Sequence, residues 1–404
     1  MNKEFLLGLN TPLADSLEGL VALFNNDTVD WFARLWDPEK GAFYYSNSGR
    51  DYEGFGPDLE STAQILRIVN YLGMIDGYGS LGNALPQDVC NSIIGFVNSL
   101  LSDDGYFYHP QWGKQVGISR RGRDLNCAKN IYKMLGVKPP RQTTLEILES
   151  KKKTNTVSAI PEYLRSKKAF LSYLYDLNIK DNSYASGNLI ISQIDQIRAA
   201  GLSGCLCNYL DSIQNPDTGF WSDEVNYRSV SGFVKLSSIY NLTGRPINYI
   251  DKISPSLLSV LDSDEIPDQI PFIHNPILAM NQIIYAMKNS GDSYTVAMLQ
   301  NEMYEKAAKT IESITRKLVR FRKKDGSFSY EQCFSAHLSQ NAPVALEGRN
   351  EGDVNATSMV ANSVISGVFL ILGLHCKIFN EQDFKQFISV LKSQKPITKL
   401  PVPL

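Results

Sequence analysis

Four stretches of this chain end an apolar-periodic segment with the same kind of tight turn: "WDPEKGAF", "SDDGYF", "NPDTGF" and "KKDGSF". In each, an Asp stands shortly before a glycine, and an aromatic residue follows the glycine within two positions. A carboxylate accepts hydrogen bonds from the free amides of such a turn, and glycine supplies the left-handed backbone that closes it. After each turn the chain enters a second periodic stretch that stops at Gly73, Gly136, Gly244 or Gly373. The unit is helix, Asp-x-Gly-x-aromatic turn, loop, helix, and its recurrence limits the chain to architectures made of helical hairpins.

Apolar positions fall three or four apart, as in Ile65, Ile68, Val69 and Leu72, or Leu125, Ala128, Ile131 and Leu135. A terminal glycine ends each such helix, and an Asp or Asn near its start caps the first free amides. The two long intervals, Gly105 to Gly219 and Gly219 to Gly326, each hold one more helical pair without the turn: "IPEYLRSKKAFLSYLYDLN" with "NLIISQIDQIRAAG", and "SPSLLSVLD" with "NPILAMNQIIYAMKNSG". Six hairpins, about a dozen helices and almost no strand signal predict an all-α chain, residues 1–404, folded as one (α/α)6 toroid. An open solenoid is the competing architecture. Residues 381–392 read as one further helix, and residues 394–404 as a proline-rich tail that cannot be helical.

Composition narrows the function classes. Forty basic against 42 acidic residues give a formal charge of -2, which lacks the basic field of a nucleic-acid binder. The first residues lack the apolar core and cleavage site of a secretory signal. The most apolar stretch, Met359 to Leu374, is short for a bilayer span and contains Asn362, so it reads as a buried helix. Six dispersed cysteines fit reduced thiols in a cytoplasmic protein. No phosphate-binding loop, HExxH or Gly-x-Ser-x-Gly occurs, and no cofactor is indicated.

The turn followed by a helix ending in Leu-Gly resembles the repeat of the terpenoid cyclase and protein prenyltransferase superfamily. Its best copies are "DDGYFYHPQWG…RDLNCAKNIYKMLG" and "NPDTGFWSDEVNYRSVSGFVKLSSIYNLTG". The resemblance implies a deep axial cavity in a toroid, a prenyl-type substrate, and a site at the starts of the inner helices. It directs attention to Arg50, Asp51, Asp58 and Glu60; Arg120, Arg121, Arg123 and Asp124; Tyr227 and Arg228; and Arg349, Glu351, Asp353 and Asn355.

"DLESTA" (Asp58 to Ala63) is similar to the acid motif of class II cyclases, with Glu60 at the place of the proton donor and Asp58 and Asp353 as neighbouring carboxylates. Read locally, Asp58 and Ser61 are residues that start a helix. "CFSAH" places Cys333 and His337 near Asp353, types that a prenyltransferase zinc site uses, but at a different spacing, and a chance pairing is the plainer reading. Glycan-processing toroids are the alternative. For them "YFYHPQWG" supplies Tyr108, His109 and Trp112 beside Arg121 and Arg123, a set suited to sugar stacking, proton abstraction and carboxylate binding. A prenyl enzyme predicts a dry pocket of Phe, Tyr, Trp and Leu with one or two carboxylates at its end; a glycan enzyme predicts an open, wet groove with exposed aromatic platforms and convergent Arg and Tyr; a binding toroid needs neither.

Overall fold

The computed structural model describes residues 9–144 and 162–403, so the reading of residues 1–8 as lacking a secretory signal lies outside the described residues. The described chain is 59% helix and 5% strand, which makes it all-α. Its main helices are α1 (Thr11–Val21), α2 (Asn26–Arg34), α3 (Leu59–Tyr71), α4 (Gln87–Leu100), α5 (Ile118–Leu135), α6 (Lys167–Asp176) and α7 (Ser183–Ser192). They continue with α8 (Ser203–Ile213), α9 (Tyr227–Thr243), α10 (Ile250–Asp262), α11 (Ile270–Ser290) and α12 (Ser293–Leu318). The last two are α13 (Val354–Ile371), α-helical at both ends with a π-helical stretch at Val360–Ile365, and α14 (Glu381–Ser393). Two short antiparallel pairs interrupt them: β1 (Trp36–Asp37) with β2 (Ala42–Phe43), and β3 (Leu338–Ser339) with β4 (Ala342–Pro343).

The turns form as the residue types dictate. Asp37 Oδ1 accepts from the amides of Glu39 and Lys40 at 2.9 and 3.0 Å, and Gly41 closes that turn at φ +72°. In the third turn Asn215, rather than the expected Asp217, plays this part: its Oδ1 accepts from the Asp217 amide at 2.8 Å. An amide oxygen accepts as well as a carboxylate does, so the sequence pattern named the wrong residue of the right turn. Phe43 and Phe328 are both fully buried beneath their turns. Each is then tied to the helix that follows it. Phe43 N donates to Thr62 Oγ1 (3.0 Å) and Asp58 N to Phe43 O (3.1 Å), while Phe328 N donates to Thr357 Oγ1 (2.9 Å) and Asp353 N to Phe328 O (2.8 Å). These bonds fix where α3 and α13 begin.

Helix packing follows a definite order. Helix α5 packs on α3, α3 on α13, α13 on α11, α11 on α9, and α9 on α7. In a second set α1 packs on α12, α10 on α12, α6 on α8, and α14 on α2. Helix α2 and the segment before it also meet the fourth turn. Thr28 Oγ1 donates to Gly326 O at 2.9 Å, and Arg322 Nε to Leu23 O at 2.7 Å. Helix α13 is apolar enough to pass a length test for a membrane span, but 72% of it is buried, as an interior helix requires.

Gly326 shows how tightly the join is made. Its φ is +80°, and a Cβ there would stand 2.4 Å from Thr28 Oγ1 and 2.7 Å from Thr28 N. Gly54 has a similar φ, +85°, with nothing within 4 Å. Gly54→Ala therefore isolates backbone strain, whereas Gly326→Ala adds a clash. Denaturant unfolding should show a loss of more than about 1 kcal/mol for Gly326→Ala, beyond that of Gly54→Ala. Equal losses would mean that α2 shifts freely away from the turn.

Candidate functional site

The acidic start of α3 is sealed inside the protein. Asp58 is its N-cap, accepting from the amides of Glu60 (2.9 Å) and Ser61 (3.1 Å). Arg120, from α5, is completely buried and spreads its guanidinium over three carboxylates: Asp58 at 2.9 Å, Asp124 at 2.9 Å and Glu60 at 3.2 Å. Glu60 is 1% exposed. Its Oε2 accepts from Arg120 and Ser339 Oγ, and its Oε1 from Arg123 and, at 3.4 Å, Gln64. With four donors on two oxygens, Glu60 has no site for a transferable proton and no open path to a substrate. The acid-donor role expected of it is therefore corrected: Glu60 is an anchor for Arg120 and Arg123.

Aromatic rings cover this network. His109 stacks on Trp112 with ring centroids 4.1 Å apart, and the Arg120 guanidinium lies 4.6 Å from the Trp112 ring on which it rests. His109 Nε2 donates to Pro57 O at 3.0 Å while Nδ1 accepts from the Gln111 amide at 3.2 Å. Burial lowers the His109 pKa, which matches the neutral ring those two bonds require. With both nitrogens engaged, His109 has none left to act as a base.

Three carboxylates meet two guanidiniums here, and Asp124 absorbs the surplus. Burial pushes its pKa up to about 7 from 3.8, against the opposing pull of Arg120, and its Oδ2 has no partner. A carboxyl whose folded-state pKa is raised contributes stability below its unfolded value that is lost as pH rises through the folded one. Unfolding free energy should therefore fall between about pH 4 and pH 7, by up to about 4 kcal/mol from this group. Asp124→Asn should flatten that slope in urea titrations at several pH values. An unchanged slope would show that another group titrates.

The remaining expected residues disperse. Asp353 is the fully buried N-cap of α13, accepting from Ala356 N at 2.8 Å and, on its other oxygen, from Tyr330 N at 2.9 Å. Burial raises its pKa to about 7 as well. It clamps a loop and touches no open space. Cys333 is exposed, and among the described residues no group of three or more His, Cys, Asp or Glu side chains could hold a metal. Arg50 and Asp51 pair with each other at 2.6 Å, and Glu351 holds Ser46 and Ser48 of the loop before them. Tyr108 bonds its own turn through Asp104 at 2.8 Å, Arg121 lies over Tyr106, and Arg349 over Tyr52. Buried Tyr227 accepts from Lys317 Nζ at 3.0 Å, and Arg228 is exposed.

Of the expected residues near this cluster, Arg123 is partly exposed, while Asn355 is buried beside it at the α3–α13 junction. The Arg123 side chain is 37% exposed, and Asn355 accepts from Gln64 at 2.9 Å across the α3–α13 junction. Partly exposed residues then recur along single helix faces: Arg67 and Tyr71 on α3, Lys235 and Ser238 on α9, His274 and Gln282 on α11, Met359 and Asn362 on α13. Side-chain bonds link neighbouring faces, such as Ser237 to Gln282 at 3.0 Å and Asn275 to Ser231 at 2.9 Å.

His274 is the chemically open member. Its Nδ1 lies 3.0 Å from Asn275 Oδ1, an acceptor, so Nδ1 carries the proton and Nε2 presents a lone pair. Burial first, and Lys235 second among the lowering influences, reduce its pKa, and the ring is largely buried. Lys235 also lies 5.6 Å from the ring of exposed Tyr184. The hydroxyl of Tyr330, raised to about 12 by burial, feels Tyr184, Asp353 and Arg123. The Tyr330 carbonyl accepts from Ile270 N at 3.0 Å, which sets it one turn before His274 on α11. A recess of about 400 Å³ opens beside Tyr330, Phe334 and His337. A second, of about 720 Å³, lies on the flank against Phe55, Phe96 and His109.

No family model, curated protein or solved structure matches this chain.

Proposed function

We propose that the chain is a closed (α/α)6 toroid that binds an acidic oligosaccharide along its axis and that His274 removes a proton from the bound sugar. The succession of helix contacts α5–α3–α13–α11–α9–α7, together with the last turn seated on α2, supports a toroid over an open solenoid, with α5 and α7 left to meet at the remaining joint. The four Asp/Asn-Gly turns are then the joints of an internal repeat. Six free cysteines fit a reducing, cytoplasmic setting.

One observation carries the choice of ligand. The axial helix faces hold amides, hydroxyls, cations and exposed tyrosines, while the Trp side chains and all large exposed aromatics except Phe334 are accounted for by buried walls or by Tyr. A hydrocarbon in that lining would leave buried polar groups unpaired. A hydrated, charged glycan would satisfy them, with Tyr71, Tyr184 and Tyr285 as stacking platforms. Arg123 and Lys235 would neutralise a uronate carboxylate and so acidify the adjacent carbon. His274 Nε2 would then take the C5 proton, the electron pair would form the C4=C5 bond, and the C4–O bond would break. The departing oxygen would be protonated by a tyrosine hydroxyl, Tyr330 or Tyr184. The prenyl reading would need an acid at Glu60, whose two oxygens already accept from four donors.

The test is calorimetric binding of polygalacturonate, alginate and chondroitin oligosaccharides, with geranylgeranyl diphosphate as the contrasting ligand, followed by ultraviolet detection of unsaturated product. Binding with product supports the reading. Binding without product removes the chemistry, and preference for the prenyl ligand overturns the whole reading.

A further inference from the structure

The segment after α14 is bound to the rest of the protein as a peptide ligand is bound to a receptor. Residues 394–403 form no helix. Leu400 N donates to Asp51 O and Glu53 N donates to Leu400 O, both at 2.8 Å, giving a parallel bridge to Tyr52. Side chains alternate as a strand requires: Ile397 packs on the core and Lys399 points inward, while Thr398 and Leu400 are exposed. Pro401 lacks an N–H, so the ladder stops there.

Lys399 makes the contact specific. Its ammonium donates to three backbone carbonyls, Gly49 at 3.0 Å, Tyr52 at 3.1 Å and Phe55 at 2.7 Å. It also lies 4.4 Å from the centre of the Tyr44 ring, with Asp37 and Asp51 the acidic groups that act on it. An ammonium has three protons, and each has a carbonyl. A guanidinium would not fit that arrangement, because its donors lie in one plane. Main-chain pairing combined with a pocket for one alternate side chain is how strand-adding peptides are recognised.

We propose that the loop from Gly49 to Phe55 is a recognition site for an extended peptide with the order lysine, apolar residue, proline, and that residues 397–401 fill it in cis. The occupied loop continues into Gly56 and Pro57, which hold His109, and then into Asp58 at the start of α3. The bound segment is therefore also a latch on the wall of the flank recess. This site is independent of the axial one.

The experiment uses the full chain. In Lys399→Met, hydrogen exchange at the Glu53 amide should speed up at least about tenfold, since the loss of several charge-assisted bonds loosens the strand. Exchange within α9 and α11 should not change, showing that the fold is kept. A synthetic peptide of residues 395–403, added to that variant, should restore Glu53 protection, and the same peptide with norleucine for Lys399 should not. Unchanged Glu53 exchange in the variant, or equal protection by both peptides, would overturn the proposal.

Discussion

Arg120→Met should lower the unfolding free energy by about 4 kcal/mol, because removing one partner of a buried ion pair leaves uncompensated charge behind. Here the charges left are Asp58 and Glu60, beside the carboxyl of Asp124, all at most 1% exposed. Glu60 would keep Arg123, and Asp58 its helix amides, so the largest strain falls on Asp124, whose Oδ1 has Arg120 as its donor. Trp112 would also lose the cation on its face. The triple change Arg120→Met, Glu60→Gln, Asp124→Asn should recover much of the loss, since replacing a buried ionic cluster as a whole is often near neutral. Guanidinium unfolding curves measure both. A loss below about 1 kcal/mol in the single variant would mean that water reaches the cluster and screens it.

His274→Gln should reduce turnover of an acidic polysaccharide by about a hundredfold to ten-thousandfold, the usual worth of a positioned general base. Binding should hardly change, because Arg123 and Lys235 are untouched, and stability should hold because glutamine is close to histidine in size and can keep the bond to Asn275. Only unprotonated His274 can accept a proton. Since burial and Lys235 lower its pKa, the rate in the native protein should rise with pH through an inflection below the ordinary histidine value. Loss of binding together with turnover would reassign His274 to substrate positioning. Full activity in the variant would remove it from the mechanism.

Local features were legible in the sequence, and pairings across it were not. The turn glycines, the closing glycines at 136, 244 and 373, and Asp58 as a helix cap all rest on interactions within a few residues, and their local conformations follow. Glu60 shows the limit. Its position in "DLESTA" suggested an acid, yet its role depends on Arg120, Arg123 and Ser339, which lie far from it in the chain. The motif carries no record of those three residues. His109 shows the same limit: it looked like a base and is held at both nitrogens. The proline-rich segment could be read as non-helical, but the three carbonyls around Lys399 come from residues about 350 positions earlier.

By itself, then, the sequence determined the all-α class and the places of the turn and closing glycines. Periodicity, caps and left-handed glycines act over one or two helical turns, where neighbours in the chain are neighbours in space. Only the tertiary structure decided which charges are neutralised and which side chains are buried. Those properties depend on burial and on partners brought from other hairpins, and no local pattern encodes them.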